Sequence, residues 1–262
     1  MEISIGPFAF FIKFILKNSC INMSLENKIA FVTGGNTGIG YGIALALAQE
    51  GVHVAISSRS LKRAQEAAKK IETSPGVTGK ILPLEVDVKD YAAQEAAIKT
   101  ILEKWDRLDF FVANAGVGHF APIQELTIDQ WQDTIDTNLT GVFYGIKASV
   151  ESLKASKGFF LTISSLAGTN FFAGGSAYNA SKFGLTGFSQ AIMLDLRQDG
   201  VRVSTIMPGS VATGFNDHEV SDKDAWKIQI EDIGEMVVGL FKLNPRTLPS
   251  KIEVRPSQTP SK

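Results

Sequence analysis

Residues 29–40 read IAFVTGGNTGIG, an apolar, β-branched run that ends in glycines and passes straight into residues at helical spacing. Ile29–Thr33 has the makeup of a buried strand. From Gly38 to Glu50 the apolar Ile39, Ile43, Ala46 and Leu47 recur at helical spacing, and Gly51 stops the segment. A loop turning this sharply from strand to helix needs glycine for positive φ and for close backbone approach to a pyrophosphate. The helix N-terminus then offers free N–H groups and the positive end of its dipole. Gly34, Gly38 and Gly40 fit those roles, although a purely structural turn would also keep one or two of them. The absence of Gly-Lys-Ser/Thr argues against a nucleoside-triphosphate loop.

Working outward, strand and helix alternate. HVAIS (53–57) predicts a second strand, and further strands are expected near 80–86, 109–113, 159–163, 201–207 and 251–254. Helices are expected at 61–72, 91–104, 128–156, 178–198 and 230–242. Helices of this length between strands imply crossovers and a parallel sheet covered on both faces. The expected fold class is α/β: one doubly wound, Rossmann-type domain over 24–254, with a mainly parallel sheet of about seven strands. The substrate site is expected within that domain, and 255–262, RPSQTPSK, reads as a loose tail.

Composition agrees. The 262 residues carry 26 Lys+Arg against 27 Asp+Glu, with 44% hydrophobic and 20% charged residues. These values suit a globular chain with a sizeable core and oppose disorder. The near-neutral balance gives no electrostatic reason to expect nucleic-acid binding. Cys20 is the single cysteine, so no intrachain disulfide can form and a cytoplasmic location is expected. His53, His119 and His218 are too scattered for metal-ligand spacing, and no metal is expected. The apolar stretch 3–16, ISIGPFAFFIKFIL, is shorter than the roughly 20 residues of a spanning helix and is interrupted by Lys13. Residues 1–23 therefore read as an extension outside the core, with Met23 an alternative start and a surface anchor the competing reading. No membrane association is expected.

The second strand bears on cofactor choice. An NAD site usually places an acid there for the ribose 2′-hydroxyl, whereas an arginine accommodates a 2′-phosphate. Here the strand runs into Ser57-Ser58-Arg59 with no acid at the turn. Arg59 is positioned for a charge-assisted bond to phosphate, or is simply a solvated loop charge. NADP(H) is favoured over NAD(H).

YNASK places Tyr178 and Lys182 four residues apart, on one face of a helix. A phenol with a pKa near 10 is a poor acid or base at neutral pH. A cation about 4 Å away, at an effective dielectric near 20, is worth roughly 4 kcal/mol. That corresponds to about three pKa units. Lys182, helped by an oxidised nicotinamide ring, is thus expected to bring Tyr178 into a useful range, although such pairs also meet on helices by chance.

Over 24–254 the sequence resembles the short-chain dehydrogenase/reductase family. The resemblance rests on Thr33-Gly34-Gly35-Asn36-Thr37-Gly38-Ile39-Gly40, on Asn114-Ala115-Gly116, on Asn138 in NLTG, on the Tyr178/Lys182 pair and on Pro208-Gly209. A serine thirteen residues before the tyrosine completes the pattern and selects Ser165 over Ser164. It implies reversible carbonyl reduction to a secondary alcohol, with Tyr178 as acid or base and Ser165 bonding the substrate oxygen. Lys182 would tune the tyrosine and hold the nicotinamide ribose, and Asn138 would anchor a water relay. Implied cofactor contacts are Gly34, Asn36, Thr37, Gly38, Ile39, Gly40, Ser58, Arg59, Asp87, Val88, Asn114, Ala115, Gly116, Tyr178, Lys182, Pro208, Gly209, Val211 and Thr213. Asp87-Val88 would meet the adenine, Asn114 the ribose side and Thr213 the carboxamide. Asn114 is alternatively a bridge between strands, and Thr213 alternatively caps a turn. The expected partner is a small carbonyl or alcohol, and the expected assembly is a homodimer or homotetramer.

Two features depart from the family pattern. The segment after Thr213, NDHEVSDKDAW, is short and polar where many relatives carry a helical lid, and the last strand ends KIEVRPSQ. Phe171, Phe172 and Phe215 either line an apolar substrate face or serve as packing residues. An NAD-dependent alcohol dehydrogenase and a non-catalytic dinucleotide-binding regulator are the alternative functions.

Overall fold

The computed structural model describes residues 23–259, so the expectation for segment 1–23 lies almost wholly outside the described residues. Seven strands form one sheet: β1 (Ile29–Val32), β2 (His53–Ser58), β3 (Ile81–Glu85), β4 (Phe110–Ala113), β5 (Phe159–Ile163), β6 (Arg202–Pro208) and β7 (Lys251–Val254). Their order is β3-β2-β1-β4-β5-β6-β7. Every neighbouring pair is parallel. The chain winds outward from β1 to β3, then returns to lay β4 on the other side of β1. That reversal opens a crevice beyond the carboxyl ends of β1 and β4, where such folds bind ligands.

The helices are α1 (Gly38–Gln49), α2 (Leu61–Glu72), α3 (Tyr91–Trp105), α4 (Ile128–Ile135), α5 (Gly141–Ser156), α6 (Ser176–Leu196) and α7 (Ile230–Phe241). Local chemistry starts several of them. Asp90 caps α3 by accepting from the N–H groups of Ala92 and Ala93, and Thr127 with Gln130 forms a capping box on α4. The helix expected over 128–156 is divided by a π-helical turn, Asp136–Thr140. The residues at its two ends keep ordinary helical dihedrals (Asp136 φ −64°, ψ −40°; Thr140 φ −61°, ψ −43°), and no proline or glycine within Asp136–Thr140 marks the change in the sequence. Among the described residues, no helix is long and apolar enough to cross a membrane.

Two apolar layers sandwich the sheet. Because successive strand residues point to opposite faces, Phe110 and Phe111 enter different layers. Phe110 stacks on Phe241 of α7 at 4.2 Å, while Phe111 meets Phe31 edge-on at 5.0 Å and Phe160 at 5.1 Å. At the opposite end of the sheet from the crevice, the buried Asp109 carboxylate accepts from the Ile29 N–H at 2.9 Å. It also pairs with Lys28 at 3.1 Å and Arg107 Nε at 2.9 Å, locking β1 to β4.

Helices α1 and α7 cross at backbone contact through Gly42 and Gly234. A Cβ on Gly42 would overlap the Ile230 carbonyl, and one on Gly234 would lie 2.7 Å from the Gly42 oxygen. Gly239, on the same α7, has open space around it. Gly42→Ala is expected to destabilise by about 1–3 kcal/mol through overpacking. Gly239→Ala is expected to stabilise by about 0.5–1 kcal/mol through helix propensity. Thermal denaturation distinguishes them by the sign of the change in Tm, and equal shifts would contradict the close crossing.

Candidate active site

The crevice is a cavity of about 750 Å³ running from the end of β2, past the glycine loop, to the amino-terminal half of α6. At its centre Gly34 (φ +63°) and Gly38 (φ +54°) hold the left-handed backbone that the loop requires. Asn36, Thr37, Gly38 and Ile39 line the cavity. Thr37 starts α1 with extended backbone and no side-chain cap, and the first turn carries no acid. Its leading N–H groups are therefore left to an external acceptor such as a pyrophosphate. Gly40 sits behind the loop, where a Cβ would overlap Asn114 Nδ2 and the Gly34 carbonyl. Its lack of a side chain lets the first turn of α1 pack against Asn114 and the Gly34 carbonyl.

Asn114 braces the two central strands. Its Nδ2 donates to the Thr33 carbonyl at 2.9 Å and the Gly34 carbonyl at 3.3 Å, while its N–H and that of Ala115 donate to Thr33 Oγ1. This is the strand-bridging alternative, and Asn114, Ala115 and Gly116 still form one wall of the cleft.

At the far end Ser58, Arg59, Asp87 and Val88 line the cavity as expected, joined by Ser60, Arg63 and Lys89. Arg63 is absent from the sequence reading. The available signal was the helix start: Ser60 caps α2 by accepting from Arg63 N–H, which puts Arg63 in the first turn. Lys89 is committed to Asp133 at 2.8 Å, so it is not a free cation. His119 holds the other oxygen of that carboxylate at 3.0 Å.

Helix α6 and the end of β5 build the other extremity. Lys182 is 4% exposed, and its Nζ donates to the Ile163 carbonyl at 3.0 Å. Burial lowers its pKa to about 8. Tyr178 lies one turn earlier, with Lys182 Nζ 5.7 Å from its ring centroid. Burial raises the Tyr178 phenol above its ordinary value, and its hydrogen bond with Ser165 pulls the other way. In the free protein the net direction is upward, with desolvation the larger cause; the expected lowering rested on Lys182 together with an oxidised nicotinamide ring. Ser165 starts a 3₁₀ turn and accepts from Ala167 N–H at 3.1 Å. Ser164 is buried against the Lys182 carbonyl and Thr186 Oγ1, so Ser165 is the serine left to the cleft.

Asn138 is fully buried on the π turn. Its Oδ1 accepts from Val117 N–H at 2.8 Å, and its Nδ2 donates to Val117 O at 2.8 Å and to Ser181 Oγ at 3.0 Å. Its amide thereby holds the loop after Gly116 against α6. Pro208, Gly209, Val211 and Thr213 line the cleft. Thr213 Oγ1 also accepts from Phe215 N–H at 3.3 Å, the turn-capping alternative.

The polar segment after Thr213 forms two short 3₁₀ turns gathered around Asp224. That carboxylate accepts from Lys227 Nζ at 2.6 Å, His218 Nε2 at 2.8 Å and Ser221 N–H at 3.0 Å. These bonds, Lys227 foremost, hold its pKa well below the usual carboxylate range. The depressed value means the clasp is complete above the ordinary carboxylate pKa of about 3.9 and is lost only in stronger acid.

A short chain dehydrogenase family model matches residues 28–224. Trans-4-hydroxycyclohexanecarboxylate dehydrogenase of Sinomonas cyclohexanicum is 34% identical over 198 residues, 74% of this chain and 76% of that protein. Glycine betaine reductase ATRR of Emericella nidulans is 32% identical over 246 residues, covering 90% of this chain but only 19% of that longer protein. Among solved structures, alcohol dehydrogenase from the archaeon Thermococcus sibiricus, complexed with 5-hydroxy-NADP, superposes with a TM-score of 0.83 at 29% identity. That alignment covers 90% of this chain and all of the other (100%). The matched span runs from the first strand to the clasped segment and includes the glycine loop, the π turn and the Tyr178/Lys182 face of α6, and the chain belongs to the short-chain dehydrogenase family.

Proposed function

We propose that the protein is an NADPH-dependent reductase that converts a carbonyl to a secondary alcohol and runs in reverse as an alcohol dehydrogenase. The observation that carries this reading is the half-buried Tyr178 phenol at one end of the cleft, with Ser165 and Lys182 beside it. A bound nicotinamide cofactor supplies the hydride. The chain's own part is to orient the substrate oxygen and deliver a proton to it. A phenol held protonated through neutrality is the right species for an acid. As its proton leaves, the Lys182 ammonium favours the phenolate. Ser165 donates to the substrate oxygen as charge develops there.

The glycine loop and the uncapped start of α1 fit a pyrophosphate. At the β2 end of the cleft, Arg59 and Arg63 supply two guanidinium groups and no acid stands at the turn, which favours the extra phosphate of NADPH over the bare ribose of NADH. The 5-hydroxy-NADP held by the Thermococcus sibiricus enzyme is consistent with this choice.

Tyr178→Phe is expected to lower the reduction rate by about 10²–10⁴-fold while leaving NADPH affinity, read by protein fluorescence, near its starting value. Turnover that survives the substitution would remove Tyr178 from the chemistry. Arg59→Ala and Arg63→Ala are each expected to weaken NADPH binding by about 10-fold or more, the worth of a charge-assisted hydrogen bond, and to leave NADH unmoved. Equal effects on the two nucleotides would point to the NAD reading. Because Lys182 loses its proton near pH 8, kcat/KM for reduction should fall with rising pH through an inflection there. Lys182→Met should abolish that inflection, and a profile flat from pH 7 to 9 in the parent enzyme would contradict the assignment.

A further inference from the structure

Three separate crossover loops each send one phenylalanine to the same place. Phe120 comes from the loop after β4, Phe172 from the loop after β5 and Phe215 from the loop after β6. Phe120 meets the Tyr178 ring edge-on at 5.4 Å, Phe215 lies 6.0 Å from it, and Phe120 and Phe215 are 6.5 Å apart. Phe172 extends the row, 5.8 Å from Phe120 and farther out along the surface. The rings are not core packing: Phe120, Phe172 and Phe215 are 41%, 48% and 40% exposed. Phe171, which the sequence grouped with them, is 87% exposed and lies outside this row of ring contacts.

The local backbone is cut to admit the rings. A Cβ on Gly118 would lie 2.8 Å from Phe120 Cζ and 2.9 Å from Phe215 Cζ, and one on Gly175 would lie 2.5 Å from Phe172 Cε2. Half-exposed apolar side chains brought together by unrelated loops at the mouth of a polar cleft mark a binding surface. Ring faces and edges favour aromatic and other apolar bodies and offer a carboxylate no matched partner.

Resting on the reductase reading above, we infer that the substrate is an uncharged ketone with an extended apolar, ring-bearing body. Its carbonyl sits at Tyr178 and Ser165, and its body lies outward over Phe215, Phe120 and Phe172. Binding then draws on area covered by the row, so a ketone too short to reach Phe172 forgoes part of it.

The test uses butanone, acetophenone, 2-acetonaphthone and the charged 2-oxobutyrate with the NADPH-loaded enzyme. Both kcat/KM and direct binding by calorimetry are measured. Each added ring is expected to raise kcat/KM and affinity by about tenfold, with 2-oxobutyrate weakest. Phe172→Ala, at a half-exposed position where truncation leaves no buried void, should shrink the step from acetophenone to acetonaphthone to under threefold. The step from butanone to acetophenone should be less affected, and Phe172→Leu should restore part of the loss. Turnover without size preference, or preference for the charged acid, overturns the apolar track and leaves the reductase intact. Graded binding without turnover of any carbonyl supports the track and overturns the reductase reading. Ungraded binding overturns the track whether or not turnover occurs.

Discussion

The bond from the buried Lys182 ammonium to the Ile163 carbonyl joins the last residue of β5 to the second turn of α6, and the proposed chemistry hangs on that joint. It fixes the rotation of α6 about its axis, so Tyr178, one turn earlier, faces the strand end from which Ser165 emerges. Ser164 reinforces the joint through the Lys182 carbonyl and Thr186. The bond also has an electrostatic cost. A cation taken from water keeps its proton less firmly, and Lys182 falls to about 8. The same desolvation raises Tyr178. Burial thus sets both groups of the proposed acid pair, in opposite directions.

The rest of the fold delivers a cofactor cleft to that joint. The reversal of winding between β1 and β4 opens the crevice, and Thr33 with Asn114 ties its two lips together. Asn138, on the π turn, holds Val117 on one side and Ser181 on the other, so the wall of the cleft is tied to α6. Asp224 gathers the short, polar segment after Thr213 into a compact wall.

Much of this was legible in the sequence. Strands buried on both faces read as continuous apolar runs such as FFLTI (159–163), and helices between them forced the parallel, doubly wound arrangement. The glycine loop located the centre of the cleft and the Tyr178/Lys182 spacing one of its ends. Other features depend on three-dimensional proximity and were hidden. The π turn at Asp136–Thr140 carries no proline or glycine to announce it. Phe120 reads as a loop residue until the loops after β5 and β6 bring Phe172 and Phe215 to it. The sign of the Tyr178 shift was read from charge alone, whereas the extent of burial, which decides it, is a property of the whole fold. The packing of Gly40 against Asn114 and Gly34, and the bonds by which Asn114 bridges to Thr33 and Gly34 while lining the cleft, likewise show only in the folded loop.

The central claim is that burial, rather than the lysine charge, governs Tyr178 in the free protein. It is tested most directly by a carbon-13 NMR titration of the protein labelled at tyrosine Cζ. With four tyrosines in the chain, Tyr178→Phe identifies the resonance. The account predicts that Tyr178 remains protonated at pH 10, the midpoint for an ordinary phenol. Ionisation of Tyr178 below pH 10 would contradict it and restore the lysine as the dominant influence.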